Sequence, residues 1–193
     1  MARSKSDLTD DEGTFLSLLI RMQPATAYQI SKVYENSPVS NFGTSKGKIY
    51  PLIRSLNNRG LLLGRPAPGH SRNIQVWVCS RRGVEAVRRW VKNIKPTHLL
   101  PEDPLRTMVQ SFGLLSKDEQ IAWIATARDA LRNKLDELAA YAREVTVPYK
   151  DLVHDNAVST VICRLAWLDR IHSEILLGLT DEPPITKAPR KRA

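Results

Sequence analysis

GTSKGKIYPLIRSLNNRGLLL, residues Gly43 to Leu63, decides how this chain is read. Ile49, Leu52, Ile53 and Leu56 recur at i, i+3, i+4 and i+7, the spacing that places side chains on one helical face. Pro51 interrupts that run, although a proline inside a helix loses a backbone hydrogen bond and presses on the preceding turn. At 100° per residue the four apolar residues lie within about 60° of Ile49, and Gly47, Pro51, Arg54 and Asn58 gather at about 140–200°. Lys48 and Tyr50 flank this second group. The two residues that look wrong for a helix therefore share its outward face, where they have almost no side chain to hold off a neighbouring surface. Ser45, Lys46, Lys48, Tyr50 and Arg54 supply hydroxyls and cations around them. Such a helix can enter a phosphate-lined groove N-terminus first, since its free N–H groups also favour anions. The same pattern reads equally as a solvated face carrying an awkward proline. Gly60 is the expected helix stop.

Working outward, two more helices precede this one. LTDDEGTFLSLLIRM has Thr9 as an N-cap, acidic residues in its first turn, and Phe15, Leu18, Leu19 and Met22 as its stripe. TAYQISKVYEN has Thr26 as a cap and Tyr28, Ile30, Val33 and Tyr34 as its apolar residues. After Gly60 the period shortens. LLLGR and NIQVWVCS are β-branched and aromatic runs around PAPGHSR, and they read as a hairpin. Its loop carries Arg65 and Arg72 at the two ends with His70 between them. SRRGVEAVRRWVKNI follows, capped by Ser80, with Val84, Val87, Val91 and Ile94 as the expected stripe. Three helices, a hairpin and a fourth helix make a winged helix, whose third helix enters the major groove while the hairpin reaches the flanking backbone.

KPTHLLPEDP is a proline-rich joint. The expected organisation is a winged helix-turn-helix domain over 1–95, a linker over 96–104, an α-helical dimerisation domain over 105–179, and a disordered tail over 180–193. The fold class is thus mainly α with a small β-hairpin. In the second half, Ser116 and Glu119 form a capping box before a long helix with an apolar line of Ile121, Ile124, Ala125, Leu131, Leu135, Leu138, Ala142 and Val145. The last helix is expected from about Lys150 to Leu177, stopped by Gly178. Its residues Val158, Ile162, Leu165, Leu168, Ile171 and Ile175 form a stripe wider than a two-helix hairpin can bury on itself, which marks them as a dimer interface.

The 193-residue chain has a formal net charge of +9, unevenly spread. Residues 1–95 hold 16 Lys and Arg against 6 Asp and Glu; residues 96–186 hold 9 against 14. A basic half with its own core suits a polyanion, most simply nucleic acid. Apolar runs such as LLI and ILL are far too short to cross a bilayer, and MARSKSDLTDDEG lacks a secretory core, so a cytoplasmic location is expected. Cys79 and Cys163 have no paired spacing and read as reduced thiols.

SKGKIYPLIRSLNNRGLL resembles the PadR-type transcriptional regulators, with their pattern of Ser, a small residue, Ile-Tyr-Pro and a leucine-spaced helix ending in Gly-Leu. AYQISKVYEN is similar to that family's second helix, with Ala27 where a glycine usually precedes the tyrosine. VWVCSRRGVEAVRRW is similar to the segment leaving the wing. There Ser80 and Gly83 match Thr-x-x-Gly, Trp77 replaces a tyrosine, and Gln75 stands where a basic residue is common. The match covers about the first 95 residues; beyond them it is one of architecture. The resemblance implies a homodimer joined through its C-terminal helices and bound to a palindromic operator, usually as a repressor and in some members as an activator. It also implies that some members release DNA on binding an aromatic or phenolic molecule or a hydrophobic drug. Trp123 and Trp167, one in each long helix, are the candidates for such an effector pocket, although such residues are more often core.

Catalysis and metal binding find little support. His154, Cys163 and His172 are nine residues apart, which turns a straight helix by 180° at each step, so one ion cannot reach all three. Asp151, His154 and Asp155 share a face but read as solvated surface. No phosphate-cradling glycine loop or nucleophile–base arrangement can be assembled. The expected function is therefore a DNA-binding regulator, not an enzyme, with no metal or cofactor. The alternative is a non-specific nucleoid-associated or RNA-binding protein using the same basic half.

Overall fold

The computed structural model describes residues 7–40, 42, 46–67, 74–99 and 103–178, except the side chain of Lys46. It divides into two compact units, Met1–Leu100 and Pro101–Ala193.

The first unit runs α1 (Asp10–Met22), α2 (Ala27–Glu35), α3 (Lys46–Asn58), β1 (Leu62–Pro66), β2 (Gln75–Cys79) and α4 (Arg81–Lys92). Thr9 and Glu12 cap α1 reciprocally, as do Thr26 and Gln29 on α2. Ser80 caps α4 by accepting from the Gly83 N–H. The core is built from Phe15, Leu16 and Leu19 of α1, Ile30 of α2, Ile49, Ile53 and Leu56 of α3, and Leu62 of β1, all buried. Gly60 adopts a left-handed φ of 67°, which ends α3 and turns the chain into β1.

β1 and β2 pair antiparallel with Gly64 opposite Trp77. A Cβ on Gly64 would come within 2.9 Å of the Trp77 ring, so the glycine makes room for the indole across the hairpin. Trp77 also exchanges two backbone hydrogen bonds with Ala25, at 2.8 and 3.2 Å, tying the wing to the α1–α2 turn. Gly83 permits a similar close approach, since a Cβ there would overlap the Leu61 carbonyl and the Cys79 sulfur.

Two expected stripes are corrected in this unit. Val91 and Ile94 of the α4 segment are exposed, and the packed face is Gly83, Ala86, Val87 and Trp90. The choice follows from Gly13 of α1, whose missing side chain leaves a slot for the Trp90 ring. Tyr28 is 68% exposed because it sits about 160° round α2 from Ile30, the residue that enters the core. Beyond α4, Pro96–Leu99 forms a 3-10 turn within the expected linker. Lys95 and His98 both reach Asp10 of α1, at 2.9 and 3.1 Å, and join it to Trp90, whose Nε1 donates to the same oxygen at 2.9 Å.

The second unit contains α5 (Pro104–Val109), a 3-10 turn at Phe112–Leu114, α6 (Lys117–Glu144) and α7 (Lys150–Leu177). Ser116 and Glu119 form the expected capping box, and Gly178 ends α7 with a φ of 68°. The Lys117 ammonium donates to the Leu176 carbonyl and Arg128 pairs with Asp169, so α6 and α7 lie antiparallel. Their seam repeats every seven residues: Ile124, Leu131 and Leu138 on α6; Val161, Leu168 and Ile175 on α7. Leu105 and Val109 of α5 pack against it.

Part of the expected dimer stripe packs in this seam. Leu168 is 0% and Ile175 5% exposed within one chain, so neither is left over for a partner. Val158, Leu165 and Ile171 are half-buried, and Ile162 is 52% exposed. Ala125, assigned to the apolar line of α6, faces solvent. Leu179 and the tail lie outside the described residues, and no helix among those described is long and apolar enough to cross a membrane.

Candidate nucleic-acid interface

The α3 helix runs unbroken through Pro51 from Lys46 to Asn58. Its apolar residues hold it to the core, with Ile49, Ile53 and Leu56 at most 3% exposed. Gly47, Pro51, Arg54 and Asn58 are all exposed, and Tyr50 beside them is 52% exposed. Pro51 has no N–H for the carbonyl four residues back, so the exposed Gly47 carbonyl lacks its intrahelical donor. No acidic residue occupies the first turn. The face therefore offers low relief, the Tyr50 hydroxyl and the Arg54 cation on one rigid element.

Lys48 has a partner within the chain. Its ammonium lies 3.1 Å from Asp11 and 5.3 Å from the centroid of Phe42, with both charged groups partly exposed. Phe42 in turn stacks on Tyr34 at 4.4 Å, and the Tyr34 hydroxyl donates to the Thr14 carbonyl at 2.9 Å. Burial pushes the Tyr34 phenol far above its usual range, so it stays protonated as that donor. The start of α3 is thus buttressed by α1 and α2. At the other end Arg59 pairs with the buried carboxylate of Glu12 at 2.7 Å, which makes Arg59 a structural cation.

Arg65 lies on the exposed part of β1, across the hairpin from Val76. Ser45, His70, Arg72 and the Lys46 side chain lie outside the described residues. Lys48, Tyr50, Arg54 and Arg65 therefore have described positions on α3 or the wing. Tyr28 is a surface residue that the apolar reading of α2 misplaces. It stands beside Lys32 on the outer side of that helix, 5.7 Å from ring centroid to ammonium, and a helical wheel taken from Ile30 finds it.

In the second unit the two tryptophans go to different places. Trp123 packs edge-on against Phe112 at 5.0 Å in the hairpin core. Trp167 lines an open groove of about 490 Å³ with Arg106, Cys163, Arg164 and Asp103. Of the two expected pocket residues, Trp167 lines this groove and Trp123 packs on Phe112. Arg164 is neutralised by Asp103 at 2.8 Å, whereas Arg106 makes no ion pair among the described residues. His154 and His172 are half-buried on α7, and no group of three or more metal-ligating side chains comes together among the described residues.

The sequence matches no family model and no protein of curated function. Solved structures do match. The crystal structure of Bacillus subtilis PadR in complex with operator DNA superposes with a TM-score of 0.72 at 18% identity, over 85% of this chain and 98% of that one. The fold is that of the PadR-type regulators. B. subtilis PadR in complex with p-coumaric acid gives 0.69 at 17% identity, over 85% and 97% of the two chains. The PadR-like transcriptional regulator BC1756 from Bacillus cereus gives 0.66 at 18%, over 90% and 99%. Each of these matches covers at least 85% of this chain, more than either unit alone contains.

Proposed function

We propose that the chain is a PadR-type transcriptional regulator that binds double-stranded operator DNA through α3 and the wing. The observation that carries this reading is the exposed face of α3. Gly47 and Pro51 give it low relief, Tyr50 and Arg54 stand on it, and Lys48 stands at its edge. A glycine and a proline there let a partner come close to the backbone. The PadR fold, seen on operator DNA in B. subtilis PadR, agrees with that assignment.

The protein acts as a homodimer on a palindromic site, most simply as a repressor. Two-fold pairing sets two recognition helices about 34 Å, or a multiple of that, apart. Support comes from Leu152, Val153, Ile162, Leu176 and Leu177 of α7, which are each more than half exposed in a single chain. The Trp167 groove is the effector site within this reading. The indole supplies an aromatic wall, and Arg106 supplies one uncompensated positive charge, which together suit a small aromatic monoanion.

Footprinting on the DNA upstream of the protein's own reading frame tests the proposal. Protection of a two-fold symmetric site, bound at least a thousandfold more tightly than scrambled duplex, is the expected result. Uniform protection at all sequences would instead establish the non-specific nucleoid-type binder.

A further inference from the structure

We infer that the outer face of α4 is a second polyanion-binding surface, which holds a DNA duplex other than the one read by α3. The inference rests on the DNA-binding reading above and extends it to bridging of two duplex segments.

Five cations stand on α4: Arg81, Arg82, Arg88, Arg89 and Lys92. At 100° per residue all five fall within about 120° of arc, opposite the packed residues Gly83, Ala86, Val87 and Trp90. All five are exposed, and only one carboxylate, Glu85, shares their face. Glu85 pairs with Arg88 at 3.1 Å. Among the described residues, Arg81, Arg82, Arg89 and Lys92 make no ion pair, so four positive charges stand open along a helix about 18 Å long.

Two of these cations oppose the helix itself. Arg81 and Arg82 are the first two residues of α4, and its first turn holds no acidic residue. Cations there face the positive end of the helix dipole and weaken the helix unless an anion from outside joins them. Packing requires neither side chain, since both are exposed and point away from the buried face. Free N–H groups, two arginines and a continuing basic stripe together make an anion surface longer than any single phosphate.

That surface cannot share the groove occupied by α3. On α1, Asp11 reaches Lys48 of α3, whereas Gly13 receives Trp90 of α4, and the two positions lie about 160° apart round the helix. Arg81 and Arg82 also border Leu61, at the C-terminal end of α3 and away from the end aimed at DNA. No apolar residue falls within the arc of the stripe, the exposed Val91 lying about 60° outside it, which suits a phosphate backbone better than a folded acidic protein.

The test uses the full chain and two duplexes. An upstream fragment is immobilised and saturated with protein, and a labelled duplex without operator sequence is then added. Wild type is expected to capture the second duplex. The variant R81Q/R82Q/R89Q/K92Q is expected to hold the first duplex with unchanged affinity and to capture the second at least tenfold less well. Circular dichroism confirms that the variant is folded, and R81Q/R82Q alone serves if it is not. Capture by the variant equal to wild type overturns the inference, as does wild type that binds the first duplex and captures nothing. A second arm separates failure of the α3 reading. Binding of K48Q/R54Q to random duplex is measured against salt, and adding the α4 substitutions is expected to reduce the slope of log affinity on log salt by about 0.9 for each phosphate left unneutralised. An unchanged slope overturns the inference whatever α3 does.

Discussion

Replacing Asp11 by asparagine is expected to tighten DNA binding, an outcome that a loss-of-charge scan would not seek. Asp11 holds the Lys48 ammonium at 3.1 Å, with both side chains partly exposed. At water-like dielectric the Coulomb term for that separation is about 1.3 kcal/mol. Side-chain entropy and screening reduce the net worth of such exposed pairs to about 0.2–1 kcal/mol. Lys48 must give up that amount before it serves a phosphate. Taking about 0.5 kcal/mol per copy, D11N gains about twofold in affinity for one half-site and about fivefold for a dimer on two. The isostere leaves Phe42 under Lys48, so the ammonium stays near the start of α3. The assay is fluorescence anisotropy on the footprinted fragment at two salt concentrations, with urea melts alongside. The gain is expected to shrink as salt rises, because the pair is already screened. Unchanged or weaker binding in a stable D11N protein would refute the reasoning and leave Lys48 as a purely structural cation.

Tyr50→Phe keeps the exposed ring and removes its hydroxyl; a lost hydrogen bond to phosphate is expected to cost about 1–2 kcal/mol of operator affinity, read from binding isotherms. Gly13→Ala tests the α1–α4 packing. Helix propensity alone would stabilise by up to about 1 kcal/mol, but the new Cβ overlaps Trp90 and strains its 2.9 Å bond to Asp10. The overpacking, about 1–3 kcal/mol, is expected to win, and the urea midpoint falls. The hydrogen bond from Trp90, reinforced by Lys95 and His98, lowers the Asp10 carboxyl from 3.8 to about 2. A depressed carboxylate stabilises the fold above its unfolded pKa and loses that contribution as pH falls through the folded value. The half-exposed site keeps the effect to about 1 kcal/mol. D10N is therefore expected to be less stable than wild type at pH 7 and to match it near pH 2, by denaturant melts at each pH. Leu168→Ala is expected to cost about 2–5 kcal/mol, since the side chain is fully buried in the α6–α7 seam. Ile162→Ser, at an exposed position, is expected to change sedimentation mass with little effect on that stability.

Most of the architecture could be read from local signals, because caps and glycines act within a few residues. Thr9, Thr26, Ser80 and Ser116 cap the helices expected of them, and Gly60 and Gly178 end theirs in left-handed conformations. The outward face of α3 was also legible, since four apolar residues turned to the core leave only one orientation for Gly47 and Pro51. What failed were choices among competing apolar faces. Val84, Val87, Val91 and Ile94 make a fair stripe on paper, yet α4 rolls towards the slot at Gly13 and buries Trp90. Leu168 and Ile175 carry the same apolar signal as Ile162, and only α6 decides which of them is consumed within the chain. Partner identity was equally hidden at the candidate site. The sequence shows that Lys48 is basic but not that Asp11, 37 residues earlier, already holds it.

The measurement that bears most directly on the account compares wild type, Arg54→Glu and Arg132→Glu for affinity to the footprinted upstream fragment at moderate salt. Arg54 stands exposed on the outward face of α3, whereas Arg132 is an exposed cation of α6, paired with Asp129 at 3.1 Å. Both substitutions change the net charge equally, so a difference between them reports where the charge stands and not the overall charge. The expected result is at least a tenfold loss for Arg54→Glu with Arg132→Glu close to wild type. Equal affinities for the two variants would contradict the assignment of α3 as the helix that reads DNA.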